Sequence, residues 1–279
     1  MINNNYLEFL RTPLILALIT PLSLVANAES DLAEPQKEEI KNISDAIGPG
    51  DSNSKWVVGA YVGSVTDPYA DEDSKDFIVP NIEYRGEYFF VSKDGIGFNL
   101  LRWERFSVGL LMTGEDSLLS DKDDYDDNKT LLGLDERDDT LSAGMYFQHT
   151  TPMGQLKVIL QDEITGEHGG QSALAKYTFD YEYKNININP VVGVSWSSAD
   201  TVDHFFGVSD DEANANRASY RGHSATSFFT GVRARYTFTK NWDVDLAAAY
   251  VNLGDGLEDS SIVEKDDLFI SAIGINYNF

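Results

Sequence analysis

The chain has 279 residues, with 46 Asp and Glu against 21 Lys and Arg, a formal net charge of −25 at pH 7. That excess of acid argues against nucleic acid or another anionic polymer as a partner and makes cations the more natural neighbours. The absence of cysteine excludes a disulfide framework, so a large sheet or core must hold the fold.

Residues 1–28 read as a secretory signal that is removed from the mature chain. Arg11 precedes an apolar stretch from Pro13 to Val25, and Ala26-Asn27-Ala28 supplies a small-x-small cleavage pattern before Glu29. The apolar stretch is shorter than the roughly 20 residues a spanning helix needs. Later windows are interrupted by polar residues, so any membrane passage must be made by a closed barrel, in which every backbone group finds a partner.

Residues 29–55 are polar and punctuated by Pro and Gly. A helical stretch is expected from Pro35 to Ile47, with Ile40, Ile43 and Ile47 on one face. It reads as a periplasmic tether or small helix, with a partner-binding helix as the alternative.

From Trp56 onward the pattern alternates with period two. Strands are expected at Trp56 to Gly63, Phe77 to Arg85, Glu87 to Val91, Gly95 to Leu101, Phe106 to Thr113 and Thr140 to His149. Six more follow at Gln155 to Glu163, Gln171 to Tyr183, Ile186 to Trp196, Ala225 to Phe238, Trp242 to Leu253 and Leu268 to Phe279. The reading is all-β: a transmembrane antiparallel up-and-down barrel over 56–279, with about 12 strands and a range of roughly 10 to 14. Connections on one side are short, such as Arg85-Gly86-Glu87, Lys184-Asn185 and Thr239-Lys240-Asn241. Those on the other side include Ser64 to Asp76, Gly114 to Asp139, Ser197 to Ser224 and Gly254 to Asp267. Short turns inside and long loops outside are the asymmetry of an outer-membrane barrel.

The two faces of each strand separate by charge. Tyr177, Phe179 and Tyr181 oppose Lys176, Asp180 and Glu182; Phe228, Val232 and Tyr236 oppose Arg233 and Arg235; Trp242, Leu246 and Tyr250 oppose Asp243 and Asp245. A lipid-facing Arg or Lys near the midplane costs about 2 to 4 kcal/mol, so the charged parity belongs to the lumen. The final strand follows the same rule, with Phe269, Ile273, Ile275, Tyr277 and Phe279 on the lipid parity.

The loop Gly114 to Asp139 carries eleven acids: Glu115, Asp116, Asp121, Asp123, Asp124, Asp126, Asp127, Asp135, Glu136, Asp138 and Asp139. Asp121, Asp123, Asp124, Asp126 and Asp127 are weak candidates for a loop cation site, since hard cations prefer closely spaced oxygens. They lack the glycine and terminal glutamate of an EF-hand, so a solvated acidic loop is the simpler reading. Bridging by calcium or magnesium to lipopolysaccharide phosphates is the alternative.

Nothing in the sequence reads as an enzyme or as a cofactor site. His149, His168, His204 and His223 show no metal-ligand spacing, and all four read as surface side chains at strand ends or in loops. Ser195, His204 and Asp203 form a nucleophilic trio only in composition, with no G-x-S-x-G elbow to support it.

Several segments resemble the MltA-interacting protein family (MipA/OmpV) of Gram-negative outer membranes. They are Val79-Pro80-Asn81-Ile82-Glu83-Tyr84-Arg85-Gly86, Leu134-Asp135-Glu136-Arg137, and Asn189-Pro190-Val191-Val192-Gly193-Val194-Ser195-Trp196. The most specific is Asp203-His204-Phe205-Phe206-Gly207-Val208-Ser209, followed by Glu212-Ala213 and Arg217. Asp259-Ser260-Ser261-Ile262-Val263 resembles a further family loop, with Ser261 where proline is usual. The resemblance implies an outer-membrane barrel in contact with lipid and lipopolysaccharide. It also implies a non-enzymatic scaffold for a lytic transglycosylase and a penicillin-binding protein. A small diffusion channel or a surface adhesin or antigen is the alternative.

Overall fold

A sheet is left without an unpaired edge only if it closes on itself. In the computed structural model, which describes residues 55–115 and 128–279, closure is complete. The expected signal, residues 29–54 and the five candidate loop aspartates lie outside the described residues.

Thirteen strand segments make twelve antiparallel staves. The first seven are β1 (Trp56–Thr66), β2 (Ser74–Arg85), β3 (Phe89–Ser92), β4 (Gly95–Arg102), β5 (Phe106–Glu115), β6 (Thr140–Thr151) and β7 (Gly154–Glu163). Then come β8 (Gln171–Phe179), β9 (Tyr181–Tyr183), β10 (Ile186–Ser197), β11 (Ala225–Thr237), β12 (Trp242–Asn252) and β13 (Asp267–Asn278). Each pairs with the next around the wall, and β13 returns to β1 with Asn278 beside Val57 and Ile270 beside Val65.

The eighth stave is split into β8 and β9 at Asp180, and both halves pair with β10 in one unbroken register. The cause is Pro190, which sits opposite the break and has no N–H to donate. Asn189 and Asn187 replace the missing bonds: Asn189 Nδ2 donates to the Phe179 carbonyl at 3.2 Å, and Asn187 Nδ2 donates to the Asp180 carboxylate at 2.8 Å.

Parity divides the wall as expected. On β13, Phe269, Ile273 and Ile275 are 55%, 49% and 47% exposed while Asn276 is fully buried. Arg233, Arg235, Lys176 and Asp245 all point inward and are buried. An apolar outer face on a polar lumen is the arrangement lipid demands.

Three expectations need correction. The third strand, expected over Glu87 to Val91, starts instead at Phe89, turns at Lys93-Asp94 and leaves a short hairpin that reaches only partway up the wall. Glu115 is not a loop acid. It is the last residue of β5, points inward and takes a hydrogen bond from Ser142 Oγ at 2.7 Å. The segment after Ser197, expected as a loop, contains helix α1 (Ala199–Phe206). Ser198 caps it through Thr201 N–H, and Val202, Phe205 and Phe206 fall at helical spacing toward the barrel. A single helical turn, α2 (Asp255–Glu258), follows β12.

Inside, the outer half of the lumen is apolar. Val65, Val191, Phe229, Val251, Leu268 and Ile270 line it from the wall, and α1 and α2 insert Val202 and Leu257 among them. The inner half is polar.

Candidate functional site

The polar half of the lumen is organised around one hairpin tip. Lys93 and Asp94 are consecutive, and they reach opposite walls of the barrel. Lys93 Nζ donates to the Tyr61 hydroxyl at 2.7 Å, and Tyr61 in turn donates to Asp245. Asp245 also accepts from Arg235, Nε to Oδ1 at 2.7 Å and Nη2 to Oδ2 at 2.9 Å, and from Asn276 Nδ2 at 3.1 Å. On the other side, Asp94 accepts from Lys176 Nζ at 2.8 Å and from Lys157. A continuous brace therefore runs from β11 and β12 through β1 and the tip to β7 and β8.

Burial explains why these partners must be satisfied. Asp94, Lys157, Lys176, Arg235 and Asp245 are all nearly inaccessible to water. A buried charge is tolerable only when paired and hydrogen-bonded. Every carboxylate here meets a cation, and Asn81 extends the network by donating to Asn276 Oδ1 at 2.8 Å. Gly274 makes room for the brace. It lies inward on β13, and the ring of Tyr61 packs flat against it where a Cβ would stand.

The loop side is closed by a second arrangement, built from the segments that carry the family resemblance. Arg137 Nη2 donates to the Gly207 carbonyl at 2.9 Å and to Glu212 Oε1 at 3.0 Å. The same Glu212 oxygen accepts the Asp135 N–H at 2.9 Å, and Oε2 accepts the Ser209 N–H at 2.8 Å. Burial pushes the Glu212 carboxyl up, but the Ser209 and Asp135 N–H groups and the Arg137 guanidinium outweigh it and hold it below the usual range. Arg217, 1% exposed, donates to the Thr130 carbonyl at 2.6 Å and to the Glu212 carbonyl at 3.1 Å. Beneath them Tyr69, Leu131, Leu134, Val208 and Ile262 form an apolar cluster. Ser261, in place of the family's usual proline, donates its hydroxyl to the Ala218 carbonyl at 2.5 Å and so ties its loop to this cap.

The trio Ser195, His204 and Asp203 is not assembled. Ser195 borders the lumenal cavity, His204 Nε2 lies 3.0 Å from the Asp138 carbonyl, and Asp203 Oδ1 accepts the Gly222 N–H at 2.6 Å. His168 is not a surface side chain. It is buried, with Nε2 3.7 Å from Glu115 and its ring 4.9 Å from that of His204. Among the described residues no cluster of metal-ligating side chains forms.

Sequence reasoning found the Arg235–Asp245 pair but missed the brace. Lys93 and Asp94 look like an ordinary polar turn, and nothing local says that the turn ends inside the barrel.

A closed antiparallel barrel with an apolar girdle outside, a charged lumen inside and short turns opposite long loops is an outer-membrane protein. A model of the family described as MltA-interacting protein MipA matches residues 58–279, and the chain belongs to that family. Among relatives, the MltA-interacting protein of Escherichia coli K12 is 29% identical over 238 residues, covering 85% of this chain and 95% of the relative. The outer membrane protein OmpV of Vibrio cholerae is 26% identical over 224 residues, covering 80% and 85% respectively. Similar solved structures include the translocator domain of the autotransporter NalP from Neisseria meningitidis. It has a TM-score of 0.44 and 13% identity, covering 88% of this chain and 95% of that one.

Proposed function

We propose that this barrel is a non-enzymatic anchor in the outer membrane that holds peptidoglycan-cleaving and peptidoglycan-synthesising enzymes at the periplasmic face. The observation that carries the reading is the cross-lumen brace. Lys93 and Asp94 fill the centre of the lumen and bind both walls, which suits a support and not a conduit. The Escherichia coli relative is named for its interaction with MltA, so a lytic transglycosylase is the first partner to test and a penicillin-binding protein the second. On this reading the short turns face the compartment in which such enzymes work, and residues 29–55, expected from the sequence to be a periplasmic tether, belong to the same side. Trp103 and Met153 stand exposed on two of those turns.

Crosslinking in the native membrane followed by co-purification tests this. Recovery of a lytic transglycosylase with the intact chain, and its loss on deleting Pro35 to Ile47 while the barrel stays heat-modifiable on gels, is the expected result. Unchanged recovery moves the contact to the turns; no recovery from either protein sinks the scaffold reading. Conductance in planar bilayers addresses the channel alternative. The wild type should conduct weakly, and Lys93→Ala with Asp94→Ala should conduct more.

A further inference from the structure

The short β3–β4 hairpin leaves the wall lower there than elsewhere. β2 pairs with β3 only at Tyr84 and Arg85, whereas on its other edge it pairs with β1 all the way to Ser74. Among the described residues, β2 from Ser74 to Glu83 meets no strand on the β3 side. Pro80 lies in that stretch, and a proline inside a sheet belongs on an edge because it offers no N–H to a neighbour. Ile78 and Ile82 point outward from the same stretch and are exposed, and on the other side only Thr113 to Glu115 of β5 rise above the hairpin, whose last pair with β5 joins Ile96 to Met112. The β2 side of the gap therefore presents apolar side chains to lipid.

Behind the gap lies a cavity of about 100 Å³. Asp94 at the hairpin tip and Thr113 and Glu115 at the end of β5 form its near wall. Ile159, Leu174, Val202, Phe205, Phe206 and Leu268 form much of the remainder. Gln161, Ser172, Ser195, Ser197, Thr201 and Ser227 border it as well, but most of the surface it presents is apolar. Since an apolar cavity of about 150 Å³ stays dry and takes benzene, this one suits a few methylene groups. Asp94 is already neutralised by Lys157 and Lys176, and Glu115 is engaged by Ser142. Neither carboxylate calls for a cationic ligand.

We propose that this cavity binds the end of an acyl chain admitted sideways from the outer leaflet through the gap between β2 and β5. The chain enters tail first and leaves its polar group at the membrane surface. The site is independent of the scaffold reading, since it lies in the lumen and needs no periplasmic partner.

The full-length protein in phosphatidylethanolamine and phosphatidylglycerol vesicles can be irradiated with either of two probes, a diazirine-bearing fatty acid or a phospholipid with the same group near its acyl terminus. Mass spectrometry then maps the adducts. Adducts at Ile159, Leu174 or Phe206 are expected, and the probe that gives them distinguishes a free acid from a lipid tail. Leu174→Trp fills the cavity and should lower adducts at Ile159 and Phe206 by about tenfold, a loss of about 1.4 kcal/mol of binding. Adducts at the lipid-facing Phe228 and Leu246 should not change. Ser172→Trp is a second filler if Leu174→Trp loses heat-modifiability, and the wild-type adduct map stands without either. Adducts confined to lipid-facing residues, or lumenal adducts undiminished in a folded filled variant, overturn the proposal.

Discussion

Arg235 and Asp245 face each other directly across β11 and β12, and the guanidinium grips the carboxylate at two points, 2.7 and 2.9 Å. A three-residue turn sets this register, and the lumen parity turns both side chains inward. Asp245 is fully buried, so its removal leaves a stranded cation as well as a missing bond. We expect Asp245→Ala to lower the unfolding free energy by about 3 kcal/mol. Adding Arg235→Ala should cost little more. A double-mutant cycle from urea unfolding in micelles checks this, and simple additivity of the two losses refutes the coupling.

Gly274 carries a second prediction. A methyl group at this position would overlap the Tyr61 ring, which must then leave both Asp245 and Lys93. Gly274→Ala should destabilise the barrel by about 1 to 3 kcal/mol. Pairing it with Tyr61→Phe separates overlap from lost hydrogen bonding: if the hydroxyl matters, the double variant loses less than the sum of the single losses.

The loop cap should respond to acid. Glu212 has a carboxyl held below its usual range in the folded cap, so its contribution is fully present above the unfolded Glu pKa of about 4.3. It fades as pH falls through the lower folded value, when the unfolded state binds the proton more readily. Amide exchange at residues 203–217 should therefore rise on acidification below that point, beyond the intrinsic pH dependence. In Glu212→Gln the cap should be looser at neutral pH and its excess response flat. A wild-type-like response in the variant would remove Glu212 from the account.

Closure depends on the last stave. Asn278 and Tyr277 pair with Val57 and Val58, and Phe279 donates its N–H to the Trp56 carbonyl at 3.0 Å. Deleting Tyr277 to Phe279 leaves the ends of β1 and β12 unpaired in lipid, where each orphaned polar group costs several kcal/mol. The truncated protein should fail to accumulate in the outer membrane, as read by fractionation and by loss of heat-modifiable migration. Normal outer-membrane levels would contradict the closure argument.

The staves, their lumen and lipid faces, and the one charged pair at Arg235 and Asp245 were legible in the chain because they depend on neighbours in sequence. Period-two alternation sorts side chains by face, and a short turn fixes which residues stand opposite. Helix α1 was not read from the chain, which was expected to form a loop there, although the Ser198 cap and the spacing of Val202, Phe205 and Phe206 are local signals of it. The tertiary structure alone decided the rest. That the third and fourth staves stop short, that Lys93 and Asp94 point to opposite walls, and that Glu212 gathers Arg137, Asp135 and Ser209 all depend on residues distant in the chain. Closing the barrel brings them within hydrogen-bond reach, and burial then makes each pairing obligatory.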